Sequence, residues 1–219
     1  MDADTKGDWS VIFGLFGLYL PVIFAPLAIV LGLQARKSGE RKGSFGIALG
    51  ISGIIIMLLF PLINSWILFP ALRSVLKTAT PLALIASDSM SHNSSFDSWW
   101  SSQEEYYSQL EITKEQFSGF NYKNGIDAGD ILVFSGTSID ALKIGDIIFL
   151  DIDGERFTHR VVQVSRGSAE YVTTKGDGNH ASFDVELRIY GEDIKGKVIG
   201  RLPKAGLLKL WFHRRFNAG

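Results

Sequence analysis

The sequence contains no cysteine among its 219 residues. This absence excludes disulfide bonds, thiol catalysis and zinc sites built on cysteine, and it leaves the redox compartment open. A surplus of positive charge is also missing, because 22 basic and 23 acidic residues give a formal net charge of −1. A protein that binds nucleic acid through its phosphates would need such a surplus. We therefore predict no nucleic-acid partner.

Charge is absent from two long apolar stretches in the first part of the chain. No charged residue lies between Asp8 and Arg36, and none lies between Lys42 and Arg73. About 20 apolar residues are enough for a helix to cross the hydrocarbon core of a bilayer. A cleaved signal peptide would have a shorter apolar segment behind a basic start, whereas this chain begins MDADTKGDW. We predict two retained membrane helices rather than two buried helices of a soluble protein.

The predicted helices lie near residues 10–34 and 45–69. The loop between them, QARKSGERKG, carries four basic residues against Glu40 alone. Short basic loops remain on the cytoplasmic side. We therefore predict a multi-pass protein of the cell membrane, with the N-terminus and everything after about residue 70 outside the cytoplasm.

The segment GIALGISG indicates how the two helices pack. Gly46, Gly50 and Gly53 fall on one side of the second helix, and small residues allow helices to approach closely in lipid. Gly14 and Gly17 could supply the matching surface on the first helix. A tight helical hairpin is the prediction.

From about residue 78 the composition becomes that of a domain made of short strands. The apolar run PLALIA is typical of a buried strand. Six later segments are rich in Val, Ile or Phe and are separated by turn signals. These segments are DILVF, DIIFL, RFTHRVVQV, YVTTK, VELRIY and GKVIGRL. In the polar, aromatic region before them, ITKEQFSGF predicts a short helix capped by Thr113.

The chain thus divides into three predicted parts. They are a two-helix transmembrane hairpin over residues 1–77, a mainly β extracytoplasmic domain over residues 78–206, and a basic amphipathic tail over residues 207–219. The tail fits a helix at the membrane interface, with basic side chains near lipid phosphates. A final strand followed by a solvated basic tail fits it equally well.

Few residues remain as candidates for catalysis. Without cysteine, the nucleophile would be serine, threonine or lysine, and a serine needs a neighbouring base to take its proton. The four histidines are His92, His159, His180 and His213. His213 lies in the basic tail. His159 shares a strand face with apolar neighbours, where a histidine with a purely structural role is the commoner case.

A second concentration of polar residues lies in TTKGDGNHASFD. It contains Lys175, Asp177, His180 and Asp184. Asp-Gly is a strong signal for a hairpin turn, so a turn is one interpretation. With His159, these histidine and aspartate side chains could also form a set of metal ligands, but no spaced pair of histidines supports a metal. We predict neither a metal nor a cofactor.

The order of these segments resembles that of type I signal peptidases, and in particular the archaeal and endoplasmic-reticulum branch that uses histidine in place of the bacterial lysine. PLALIASDSM is similar to the family's apolar strand ending in Ser-x-Ser-Met, and GDIIFL to its Gly-Asp strand. HRVV, TKGDGN and GRLPKAG are similar to its histidine box, Lys-Gly-Asp box and closing segment. The likeness extends from about residue 80 to about residue 206. It implies a membrane-bound serine endopeptidase that removes signal peptides from exported proteins.

The resemblance implies a role for each matching residue. Ser89 would be the nucleophile and His159 the general base. Ser87 would form an oxyanion hole together with the backbone N–H of Ser89. Asp177 and Asp184 both correspond to acidic positions of the family. One of them should orient His159, and we expect Asp184 to make that contact, with Asp177 supporting it.

The substrate implied by the resemblance is a signal-peptide-bearing preprotein held in the bilayer, with membrane lipid and the protein-export machinery as further candidate partners. It would add as an extended strand beside PLALIA, with its small side chains in shallow apolar pockets near Leu84, Ile85 and Met90. The aromatic side chains of FDSWW would either enter the lipid headgroup region or pack onto the β domain.

Two positions depart from the family's pattern. Asp88 stands between the two serines, where the family usually has glycine, and its side chain should point away from both of them. His92 lies close to the nucleophile and is a rival base, as Lys175 would be in a bacterial-type pair. The HRVV context favours His159. The alternative that these departures leave open is a catalytically inactive, membrane-anchored binding protein of the same fold.

Overall fold

The computed structural model describes residue 6 and residues 8–13, 21–167, 169–208, 210 and 211. The chain divides into two compact units, Met1–Ala71 and Leu72–Gly219. Each unit is described by itself below.

The first unit is helical. Helix α1 spans Pro21–Lys37 and helix α2 spans Arg41–Ile63. A short turn joins them, in which Gly39 has a φ of +88°, a backbone conformation that favours glycine.

Glycines bring the backbones of α1 and α2 close together, as the sequence predicts. Gly43, Gly46, Gly50 and Gly53 are all buried. A Cβ placed on Gly50 would lie 2.8 Å from the carbonyl oxygen of Ala25, so any larger residue would push the helices apart. Gly14 and Gly17, expected to take part in this packing, lie outside the described residues.

One helical run in the described part of the chain, Arg41–Leu76, is long and apolar enough to cross a membrane by its length and composition. Helix α2 continues through a π-helical segment, Asn64–Leu68, into helix α3, Phe69–Leu76. Pro70 accounts for the π-helical segment, because proline clashes with the carbonyl four residues earlier in a regular α-helix. A wider turn relieves this clash.

The first predicted membrane helix, near residues 10–34, is not seen as one span. Residues 8–13 are helical and α1 is helical, but residues 14–20 lie outside the described part. The prediction of two membrane helices is therefore confirmed for one helix only, by length and composition.

The second unit is built on a six-stranded antiparallel sheet. Its strands are β1 (Leu82–Leu84), β2 (Ile131–Ser135), β3 (Ile147–Ile152), β4 (Glu155–Ser165), β5 (Tyr171–Lys175) and β6 (Ile194–Leu202). Their order across the sheet is β1-β2-β6-β3-β4-β5. Strand β1 therefore lies at an edge and pairs with β2 alone among the strands of this sheet.

Strand β3 lies at the centre of the core and is buried on both faces. Ile147 and Phe149 belong to one apolar cluster, which also contains Met90. Ile148 and Leu150 belong to the other cluster. Because successive side chains of a strand point to opposite faces, both faces of β3 are covered by protein. This explains why its sequence is a continuous apolar run instead of an alternating one.

Two helices pack against the sheet, so the unit is mixed α/β and not purely β. Helix α4 spans Phe96–Gln109 and was not predicted, and helix α5 spans Lys114–Ser118. Thr113 caps α5 in a capping box with Gln116, as its sequence predicts.

The two tryptophans of FDSWW are buried inside the protein, and Phe96 packs against them in a partly buried position. Trp99 and Trp100 are only 3% and 2% exposed. They form a cluster with Tyr107, Phe117 and Val162 of β4. Of the two interpretations left open by the sequence, packing onto the β domain is therefore the one observed.

The segment VELRIY is not a strand, contrary to the prediction. Residues Asp184–Glu186 form a 3₁₀ turn, and Ile189 alone of this segment pairs with the sheet, through a bridge to Val172. Val185 and Leu187 are 57% and 48% exposed. The alternation of apolar residues is real, but the described structure offers these side chains no core to enter.

Candidate active site

Ser89 lies in a turn directly after the edge strand β1, and it is fixed from three directions. The backbone N–H of Ser91 donates to the carbonyl oxygen of Asp88 at 3.0 Å, which closes the turn. The N–H of Gly178 donates to the Ser89 carbonyl oxygen at 2.8 Å. The neighbouring Met90 side chain is 1% exposed and anchored in the core. The turn leaves the Ser89 side chain only half-buried.

His159 of β4 approaches this serine. Its Nε2 lies 3.2 Å from Ser89 Oγ, and its ring packs against Phe157 at 5.0 Å between ring centroids. Its side chain is 3% exposed. The sequence-based pairing of Ser89 with His159 is therefore seen as a contact within hydrogen-bond reach.

Glu186 holds the other side of the His159 ring. Its carboxylate Oε1 hydrogen-bonds His159 Nδ1 and accepts from Thr174 Oγ1 at 2.9 Å. Its Oε2 accepts from the Phe183 N–H at 2.9 Å. An ionised carboxylate can only accept hydrogen bonds, so Nδ1 must carry a proton and donate. The lone pair of the neutral ring then lies on Nε2, which faces the serine hydroxyl.

The expectation that Asp184 contacts His159 is wrong, because Glu186 occupies that place. Asp184 begins the 3₁₀ turn and is exposed, whereas Glu186 ends the turn and is fully buried. With about three residues in each turn of a 3₁₀ helix, two side chains separated by two positions point in different directions. Only Asp177 and Asp184 were expected to contact His159, so Glu186 was missed.

Asp177 does not contact His159 either, and it forms a different buried ion pair. Arg160 donates to it twice, from Nε to Oδ1 at 2.9 Å and from Nη2 to Oδ2 at 2.6 Å. The remaining Arg160 donors bond the backbone carbonyls of Asn121, Gly145 and Tyr122. All five guanidinium donors thus have acceptors, which is the condition under which a buried ion pair is tolerated.

Asp177 connects its ion pair with Arg160 to the loop that contains Ser89. Burial would raise the pKa of Asp177, but the charge and hydrogen bonds of Arg160, together with the contact to His92, lower it to about 2. The Trp99 indole N–H donates to the Asp177 carbonyl oxygen at 2.9 Å, and the adjacent Gly178 bonds Ser89. Asp177 therefore supports the site through the backbone.

His92 and Lys175, the two other candidates for the base, contact groups other than Ser89. His92 stacks on Trp99 at 3.7 Å between ring centroids, and its Nε2 lies 3.4 Å from Asp177 Oδ2. Lys175 Nζ donates to the Gly176 carbonyl oxygen at 3.1 Å and lies over the rings of Tyr106 and Tyr107. Burial lowers the pKa of Lys175 to about 8, although nearby acidic charges act in the opposite direction. No described contact joins either side chain to Ser89.

The absence of a side chain at Gly176 allows Ser89 and His159 to lie close to each other. A Cβ at this position would lie 2.6 Å from the Ser89 carbonyl oxygen and 2.9 Å from His159 Nε2. A side chain here would therefore separate the serine from the histidine. This gives a steric reason for the glycine in the TKGDGN segment.

Ser87 lies beside the nucleophile candidate, with the two hydroxyl oxygens 3.2 Å apart. The backbone N–H of Ser89 donates to no acceptor among the residues that the structure describes, so it is available to a ligand. The intervening Asp88 is exposed. A hydroxyl and a free N–H thus flank Ser89 Oγ.

Two cavities meet at Ser89. The first, of about 380 Å³, extends along β1 and is lined in part by Leu84, Ile85 and Met90, the three residues predicted to bind substrate. The second, of about 260 Å³, is lined by His159, Asn179, Phe183 and Val185. Both share Ser87, Ser89 and Phe157. The serine hydroxyl is therefore reachable from both cavities.

In the described residues, no group of three or more side chains comes together in a way that could hold a metal ion. His180 is exposed. Comparison with protein-family models and with curated proteins finds no match to this chain.

Proposed function

We propose that this chain is a membrane-anchored serine endopeptidase that removes signal peptides from exported proteins outside the cytoplasm. The observation that carries the proposal is the series of contacts from Ser89 Oγ to His159 Nε2 and from His159 Nδ1 to Glu186. A nucleophile, a base in the required tautomer and an acid that orients the base are the elements of a serine-hydrolase triad. The resemblance to type I signal peptidases supports the substrate class.

In this mechanism His159 Nε2 accepts the proton of Ser89 Oγ as the oxygen attacks the scissile carbonyl. Glu186 remains ionised and stabilises the imidazolium that forms. The imidazolium then gives its proton to the leaving amine, and the acyl-enzyme is left on Ser89. Water, deprotonated by the same histidine, hydrolyses this ester and restores the serine.

The negative charge that develops on the substrate carbonyl would be stabilised by the Ser89 N–H and by Ser87 Oγ. Loss of one such donor costs about 10²–10³ in rate in other hydrolases. The Ser87 hydroxyl is 3.2 Å from Ser89 Oγ, so it lies near the carbonyl that this oxygen would attack. Ser87 is thus assigned to binding the transition state, as the resemblance implies.

The shape of the first cavity supports an extended substrate. In the part of the chain that the structure describes, no strand pairs with the second edge of β1, so a peptide can add there by main-chain hydrogen bonds. The cavity beside it has an apolar lining that includes Leu84, Ile85 and Met90. Small apolar residues before the cleavage site, as in an Ala-x-Ala pattern, fit such a surface. The apolar helix Arg41–Leu76 ends only a few residues before β1, which suits a substrate held in the bilayer.

The proposal is tested by cleavage of a signal-peptide-bearing preprotein with the full-length chain, in detergent and in proteoliposomes. We expect cleavage by the wild type and by His180→Ala, whose histidine is exposed, and loss of cleavage in Ser89→Ala and His159→Ala. A Ser89→Ala variant as active as the wild type would refute the assignment. A wild type that binds the preprotein without cutting it would favour the inactive binding protein.

A further inference from the structure

We propose that Phe183 and Val185 form a specificity subsite for the residue that directly follows the scissile bond, and that this subsite selects an apolar side chain. The inference rests on the proposed function, because it concerns the leaving part of the peptide substrate. It assigns a role to two exposed apolar residues and to the second cavity.

The direction of the substrate follows from the position of His159. The leaving amine must receive its proton from His159 Nε2. His159 lines the second cavity and does not line the first. The acyl part of the substrate lies along β1 in the first cavity, so the leaving part enters the second. Ser89 belongs to both cavities, as a residue at the point of cleavage must.

The second cavity has the chemistry of an apolar side-chain pocket. Phe157, Phe183 and Val185 contribute rings and methyl groups to its wall, with Asn179 as a polar neighbour. Its volume of about 260 Å³ is below the range of about 300–1,000 Å³ that is usual for small-molecule sites. It is suited to one side chain and the backbone that carries it.

Phe183 and Val185 are exposed but are carried by a fixed backbone. Each is 57% exposed, which for such side chains leaves considerable apolar surface in water. The turn between them is held by Glu186, which is fully buried and accepts from the N–H of Phe183 itself. The turn that supplies the acid of the triad therefore also presents these two side chains to the substrate.

The charge of the same turn favours a peptide over a lipid surface as the occupant. Asp184 lies between Phe183 and Val185 in the chain and is exposed. Insertion of the two apolar side chains into a bilayer would carry this carboxylate toward the hydrocarbon, which is costly. A peptide backbone in the cavity imposes no such cost.

The experiment uses the full chain in detergent and two peptides that differ only in the residue after the scissile bond, leucine in one and serine in the other. We expect the wild type to have a kcat/KM about ten-fold higher for the leucine peptide. The double variant Phe183→Ser/Val185→Ser should lose this ratio. Leu187→Ser is the matched control, because Leu187 is exposed on the same segment but does not line the cavity, and it should keep the ratio.

A second readout does not depend on turnover. Binding of the same two peptides to the Ser89→Ala variant, measured by fluorescence anisotropy, should show the same preference, and the two serine substitutions should remove it. Equal kcat/KM for both peptides in the wild type would overturn the subsite while leaving the proposed function intact. If the wild type cleaves neither peptide and Ser89→Ala binds neither, the proposed function fails and the subsite fails with it.

If Phe183 and Val185 bound lipid instead of the substrate, the assays would give a different result. The double variant would then keep the leucine-to-serine ratio in detergent and lose activity only on preproteins embedded in vesicles. That result would also overturn the subsite.

Discussion

Replacing Glu186 by glutamine changes one oxygen of a buried carboxylate into an NH₂ group and leaves the shape nearly unchanged. In the wild type, Oε1 accepts from His159 and Thr174, while Oε2 accepts from the N–H of Phe183. Every partner is a donor. An amide has only one accepting oxygen. The NH₂ group of the glutamine in Glu186→Gln must therefore lie against a hydrogen-bond donor, either at Phe183 or at His159 and Thr174.

The two orientations of the amide have different consequences. If its NH₂ group faces Phe183, the part-buried N–H of that residue loses its acceptor, at a cost in stability of up to about 1–3 kcal/mol. If its NH₂ group faces His159, Nδ1 must become the acceptor and Nε2 then carries the proton. A protonated Nε2 cannot take the proton of Ser89. The comparable change of an aspartate to asparagine in a serine protease lowers kcat about 10⁴-fold.

The second orientation is favoured, because Thr174 Oγ1 and His159 Nδ1 can both become acceptors whereas the N–H of Phe183 cannot. We therefore expect Glu186→Gln to lower kcat by about 10³–10⁴, equivalent to about 4–5 kcal/mol of transition-state stabilisation, with little change in KM. The assay is cleavage of a peptide or preprotein by the purified full-length variant, with thermal unfolding measured in parallel. Asp184→Asn is the matched control, because Asp184 is an exposed acid on the same turn. It should retain wild-type activity and stability.

A folded Glu186→Gln variant with activity close to that of the wild type would refute the role of Glu186 in orienting His159. An inactive Asp184→Asn beside an active Glu186→Gln would restore the role that the sequence resemblance gave to Asp184.

Three further predictions follow from the residues around the triad. Gly176→Ala should lower the rate of peptide cleavage by about 10²-fold or more, because its Cβ would lie 2.6 Å from the Ser89 carbonyl oxygen. Small displacements of reacting groups have effects of that size. An unchanged rate of peptide cleavage would contradict this prediction. Asp177→Asn leaves the buried Arg160 charge without its partner. It should lower the free energy of unfolding, measured with denaturant, by about 3–5 kcal/mol. A loss below about 1 kcal/mol would count against a buried ion pair. The folded-state pKa of Lys175 is about 8, below its ordinary value of 10.5. Between these two pH values the unfolded state binds more protons than the folded state. The free energy of unfolding should therefore rise by about 3 kcal/mol as the pH increases from about 8 to 10.5. Lys175→Met should abolish the rise, and a variant with the same pH dependence as the wild type would show that another group causes it.

The parts of the fold that the sequence predicted correctly are those with strong local signals. PLALIA, DIIFL and RFTHRVVQV carry apolar runs bounded by turns, and each is a strand. The capping box at Thr113 is likewise a local pattern, and it begins a helix where predicted.

Helix α4 was missed because its composition is polar and its apolar residues are clustered. A signal was present, since Ser95 provides a capping side chain at its start. Trp99, Gln103 and Tyr107 recur every four residues and are all buried, which is the spacing of one helical face. Polar serines between them obscured this periodicity.

The pairing of Ser89 with His159 was expected only from the resemblance, since the residues are 70 positions apart. The acids considered were Asp177 and Asp184, and Glu186 was not among them. It lies only two positions from Asp184, in a turn whose geometry depends on tertiary contacts. The polar anchors of Glu186 lie on three separate segments, at His159, Thr174 and Phe183. Their convergence is a property of the folded chain.

The edge of β1 that no described strand covers has a consequence for how copies of this protein behave at high concentration. An unpaired strand edge is a template for any extended chain, including a second copy, and long exposed edges promote aggregation. Here the edge is three residues long and is ended by the turn that carries Ser89. So short a strand provides few main-chain hydrogen bonds to a neighbouring copy. The brevity of β1 therefore limits self-association through this edge.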